Sequence, residues 1–142
     1  MTVTTRVSAG PGWGGVLELQ LVAQPSAARA GRQWVVRAIA AQGVSAEASD
    51  VIELLAGELL ANAVLHGPAA GDIQIRMWRS GHLVSVAVSD RGVGQPVIRR
   101  PVLLTANGRG MVLVDTLSSA WGVDDHGPDG KTVWFTLDVG VA

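Results

Sequence analysis

The sequence contains no cysteine. That absence removes three chemistries together: disulfide scaffolding, cysteine-ligated zinc and thiolate nucleophiles. Charge of one sign is lacking too. Eleven lysines and arginines stand against 12 aspartates and glutamates, a net charge of -1, which argues against a basic nucleic-acid binder. No basic run marks a membrane-binding surface, and no uninterrupted apolar stretch approaches the roughly 18 residues of a membrane span. The first 15 residues lack the basic segment and apolar core of a secretory signal, so the expected location is cytoplasmic. There is no zinc-ligand spacing and no G-x-S-x-G nucleophile elbow. What the chain does have is 48% hydrophobic residues over 142 positions, enough for one domain with its own core. It also has 18 glycines, about twice the usual ~7%. Four of those glycines sit in two short clusters, at 92–94 and 108–110.

Residues 1–15, with Pro11 and four glycines, read as a flexible arm, and residues 16–142 as a single domain. The alternation of Leu17, Leu19 and Leu21 with Glu18 and Gln20 predicts a half-buried strand over 16–23. A helix is expected over 26–42, burying Trp34, Val35, Ala38 and Ile39, with Arg29, Arg32 and Arg37 solvated and Gly43 ending it. A second helix over 46–66 follows, capped by Ser45 or Asp50 and apolar nearly all round, which predicts a largely buried element. Residues 72–79 and 82–90 read as a hairpin, 91–109 as a loop, 110–119 as a helix, and 121–125 and 131–139 as closing strands. This order predicts an α+β two-layer sandwich: a mostly antiparallel mixed sheet with helices on one face.

Three places carry chemistry. Glu58, Asn62 and His66 follow at intervals of four along the second half of the helix over 46–66, whose other residues there are apolar, so they share one stripe. Buried polar groups must be paired or face something polar, so this stripe is either an internally satisfied pair or the wall of a site. Asp90 has the parity of Val84, Val86 and Val88 and opens D-x-G-x-G through Gly92 and Gly94. A carboxylate there can accept from an exocyclic amine, or simply precede a turn. Gly108-Arg109-Gly110 opens a helix, where bare N–H groups and the helix dipole suit phosphate. Leu113 rules out a G-x-G-x-x-G dinucleotide fingerprint. Gly130-Lys131-Thr132 mimics the end of a P-loop, but Asp125 replaces the first glycine and a strand pattern follows in place of a helix.

Together these are E-x-x-x-N on a helix, D-x-G-x-G after a strand, G-x-G opening a helix and G-K-T on a last strand, all within 75 residues. In that combination the sequence resembles the GHKL ATPase superfamily, with its Bergerat ATP-binding fold. Within it, GELLANAVLHG, VSDRGVG, GRGMVLVDTLSSAWGV and GKTVWFTL are similar to the small stand-alone anti-sigma-factor serine kinases. The resemblance covers about residues 16–139. It implies ATP and Mg²⁺, with Asn62 as the metal-ligating asparagine, Glu58 as the general base and Asp90 as the acceptor for the adenine amino group. It places Gly92 and Gly94 in one glycine box, and Gly108, Arg109, Gly110 and Met111 in the second, Met111 standing where leucine is usual. Thr132 would support the adenine subsite. Residues 95–107, with Arg99 and Arg100, would form the ATP lid. The implied partners are a sigma factor, a STAS-type anti-anti-sigma protein and a second copy of the chain, with no direct nucleic-acid or membrane contact. Two other readings accompany this one. The first is a kinase-inactive ATP-binding interaction module; the second is a histidine-kinase catalytic domain, which would need a helix pair bearing a phosphoacceptor histidine.

Overall fold

The computed structural model describes residues 4–8, 15–66, 71–91 and 108–140. Among these residues the strands are β1 (Thr4–Ser8), β2 (Val16–Val22), β3 (Asp72–Ser80), β4 (Leu83–Asp90), β5 (Ala120–Asp125) and β6 (Lys131–Asp138). The helices among the described residues are α1 (Pro25–Ala40), α2 (Ala46–His66) and α3 (Gly108–Leu117), and a 3-10 turn spans Gly127–Asp129. No helix among the described residues is long and apolar enough to cross a membrane.

The strands form one sheet in the order β1-β2-β3-β4-β6-β5. Every pairing among the described residues is antiparallel, in keeping with the mostly antiparallel sheet expected. The last strand turns back between β4 and β5. That placement follows burial: β6 is apolar enough to sit inside the sheet, whereas β5 is short, largely exposed and serves as an edge. The expected arm also contains structure. Thr4–Ser8 pairs with β2 from Thr4↔Gln20 to Ser8↔Val16, filling an edge that β2 would otherwise leave open.

The period-2 alternation of the strands sorts the sheet into two faces. On one face Leu19, Leu21, Ile73, Ile75, Met77, Val84, Val86, Val88, Val133, Phe135 and Leu137 are buried and form one core with the helices. α1 contributes Ala27, Val35 and Ile39, α2 contributes Ile52, Leu55, Leu59 and Leu60, and α3 contributes Met111 and Val114. The opposite face is polar and aromatic. There Ser85 and Thr136 share a hydroxyl hydrogen bond of 2.8 Å, and the Arg76 guanidinium lies 6.0 Å from the Trp78 ring centroid. α1 and α2 approach closely at Gly31, where a Cβ would fall 2.6 Å from Leu60 Cδ1. Pro25 opens α1, and its missing N–H costs nothing there. Ser45 is the cap of α2, its Oγ accepting from the Ala48 N–H at 3.1 Å; Asp50 lies inside the helix. α2 is less enclosed than its composition predicts, with Leu54 and Leu65 exposed.

Candidate functional site

α2 carries a polar pair that its own fold does not use. Asn62 is 1% exposed, and neither Nδ2 nor Oδ1 has a hydrogen-bond partner among the described residues. Leaving a buried amide unmet costs about 1–3 kcal/mol, so a stable helix keeps it there for something other than packing. Glu58 stands one turn earlier on the same stripe and is half-buried. The side chain of His66 lies outside the described residues. A connection of five residues, 67–71, joins the end of α2 to the start of β3. That strand pairs with β4 so that Ile73 faces Asp90. α2 itself packs against β4 and β6.

Asp90 ends β4 on the core face, at 4% exposure. Directly across the strand pair stands Lys131, 9% exposed, with its Nζ 2.5 Å from Asp90 Oδ2. A buried charge needs this kind of partner. The close approach depends on Gly130, whose φ is +103° and whose missing Cβ would lie 2.0 Å from the Asp90 carbonyl oxygen. Any side chain there would drive the start of β6 away from the end of β4.

Of the G-K-T residues, the family resemblance gives a site role to Thr132 and none to Lys131. The structure separates the two. Thr132 lies on the opposite face, where its Oγ1 meets Ser89 Oγ at 2.7 Å and His126 Nε2 at 2.9 Å. Strand alternation keeps Thr132 off the Asp90 face, so the residue beside that carboxylate is Lys131 and not Thr132 as expected. The signal was present in the sequence, since Lys131 has the parity of Val133 and Phe135.

α3 begins at Gly108, two residues earlier than expected. Gly108, Arg109 and Gly110 therefore form its first turn, where N–H groups have no intrahelical acceptor. The Met111 side chain packs into the core. Gly92, Gly94 and residues 95–107, with Arg99 and Arg100, lie outside the described residues. No group of three or more His, Asp or Glu gathers as a metal site among the described residues.

A family model of the histidine kinase-like ATPase domain matches residues 21–137. The chain belongs to the histidine kinase-like ATPase domain family. Solved structures similar to it include the following two. One holds the RsbU and RsbW domains of Rv1364c from Mycobacterium tuberculosis: 26% identity, TM-score 0.68, covering 87% of this chain and 32% of that one. The other is the histidine kinase domain of the blue-light activated histidine kinase EL346 from Erythrobacter litoralis: 30% identity, TM-score 0.52, covering 64% of this chain and 44% of that one. This chain thus spans about a third and under half of their lengths. No curated protein matches it.

Members of this ATPase family bind ATP, usually with Mg²⁺. The donor set present here fits that pair. Asn62 offers a neutral oxygen with no competing partner among the described residues, and Mg²⁺ prefers oxygen ligands drawn partly from substrate phosphates.

Proposed function

We propose that this domain binds Mg-ATP and transfers the γ-phosphoryl group to a serine of a STAS-type protein, within an anti-sigma regulator. The observation that carries this reading is the buried, unpartnered amide of Asn62 one helical turn from Glu58. The similarity to a structure that includes an RsbW domain supports a regulatory kinase of this branch.

The residues divide the work. Asp90 accepts from the amino group of adenine. The first turn of α3 donates backbone N–H groups to phosphate oxygens. The Asn62 amide oxygen holds Mg²⁺, which when bound neutralises charge on the phosphates. Glu58 orients the serine hydroxyl and takes its proton. The serine oxygen forms a bond to the γ-phosphorus, and the bond from that phosphorus to the β,γ-bridging oxygen breaks. Its electron pair leaves with ADP, and the hydroxyl proton ends on the Glu58 carboxylate. A sigma factor is the second partner, the chain pairs with a second copy of itself, and the whole system is cytoplasmic.

The test is incubation with Mg-ATP labelled on the γ-phosphate and cognate STAS candidates. Label on a partner serine is the expected result. ATP-dependent partner binding without label would replace the kinase by a binding module, and failure to bind ATP would remove both.

A further inference from the structure

The carboxylate assigned to the base is already occupied. Lys131 holds Asp90 Oδ2, and Asp90 makes further interactions besides this one. A base amino group therefore meets no waiting acceptor and must compete for it. The cross-strand register shows where the displaced ammonium can go. Lys131 stands opposite Asp90 on β4 and opposite Asp125 on β5, so the three side chains lie in a row on one face. Directly opposed residues in an antiparallel pair have Cβ atoms about 4.5–5.5 Å apart, well within the sweep of a lysine stem. Asp125 is exposed and spends Oδ1 on the Gly127 N–H at 2.9 Å. No partner engages its Oδ2 among the described residues.

Resting on the ATP-binding reading above, we propose that Lys131 is a two-position counter-ion that sets how strongly the base is read. Without nucleotide it occupies Asp90. An amino-bearing base takes that carboxylate oxygen, and the ammonium turns to Asp125. No covalent bond changes; one charge-assisted hydrogen bond is exchanged for two others. Because an ammonium holds a carboxylate more strongly than a neutral amine does, the exchange returns little net affinity to the base contact.

The test is titration of ATP and of purine riboside 5′-triphosphate, which lacks the amino group, into the folded full chain. The wild type should prefer ATP by only about threefold. Lys131→Met keeps the stem and removes the competitor, so ATP should bind about tenfold tighter and the purine analogue should not. Asp125→Asn keeps the oxygen that receives the Gly127 N–H but weakens the second position. It should lower ATP affinity about two- to fivefold, the range of an exposed pair, and leave the analogue unchanged. Lys131→Met that binds ATP no tighter, or Asp125→Asn that affects both nucleotides equally, overturns the exchange. Should Lys131→Met fail to fold, Asp125→Asn and the wild-type ratio decide the matter. A folded wild type that binds no ATP instead removes the nucleotide reading itself.

Discussion

Lys131 and Thr132 are neighbours in the chain and stand on opposite faces of the sheet, one paired with Asp90 and the other bridging Ser89 and His126. The two side chains therefore have separable effects. Thr132→Val preserves shape and β-branching but removes the hydroxyl between Ser89 and His126. Thr132 is buried, so stability should fall by about 1–2 kcal/mol, while ATP affinity stays within about twofold of wild type. Chemical denaturation and calorimetric titration on one preparation check both. A large loss of ATP affinity with little change in stability would return Thr132 to the base subsite.

Local patterning made much of the fold legible. The apolar run behind Ser45 predicts α2 over 46–66, and the helix is Ala46–His66. The hairpin differs from expectation only at its tip, where Gly81 takes a φ of +60° and the strands end at Ser80 and restart at Leu83. The features that escaped are non-local. β1 is five residues long and depends on the open edge of β2. The insertion of β6 between β4 and β5 depends on contacts across the sheet. In the site, the helical period brings Glu58 and Asn62 together and strand parity turns Asp90 inward, both readable from spacing. Lys131 is equally readable by parity, since it alternates in step with Val133 and Phe135. The meeting of His126 with Thr132 depends on the turn at Gly127–Asp129, which no periodicity foretells.

Gly130 and Gly127 offer a contrast between close approach and mere backbone conformation. Both have positive φ, but a Cβ at 127 meets nothing within 4 Å, whereas one at 130 meets the backbone of Asp90 and Arg91. Backbone atoms cannot turn aside as a side chain can. Gly127→Ala should cost about 1–2 kcal/mol, the price of left-handed backbone alone. Gly130→Ala should cost about 3 kcal/mol or more, because the β4–β6 junction must also open. Urea denaturation separates them. Equal losses would mean that the junction tolerates separation and that Gly130 does not hold Lys131 against Asp90.

Asn62 should show opposed effects on stability and binding. Its amide is buried with no partner among the described residues, so the folded domain gains nothing from its polarity. Asn62→Leu removes both unmet groups and keeps the branched heavy-atom shape of the side chain. The nucleotide-free protein should therefore be as stable as wild type or up to about 2 kcal/mol more stable. Binding of Mg-ATP should weaken at least tenfold in titration, while ATP without Mg²⁺ binds nearly as before. A variant destabilised by more than about 1 kcal/mol would show that the amide is satisfied within the fold.

Glu58 is the residue whose removal should separate chemistry from binding. It shares the Asn62 stripe on α2, but unlike Asn62 it is only half-buried, so an incoming hydroxyl can reach it while its carboxylate keeps water as a neighbour. In the proposed transfer this carboxylate holds neither the nucleotide nor the protein partner. It would act only as the serine oxygen forms its bond to phosphorus and sheds its proton. Removing a general base typically lowers the rate about 10²–10⁴-fold. Glu58→Ala should therefore transfer phosphate at least about a hundredfold more slowly in single-turnover assays, with ATP and partner affinities within about threefold of wild type. Glu58→Gln keeps the size and hydrogen bonding of the side chain but cannot take a proton, so it should be as slow as the alanine variant. If Glu58→Gln instead transfers phosphate at the wild-type rate while Glu58→Ala is slow, the side chain only positions the hydroxyl, and the proton leaves by another route.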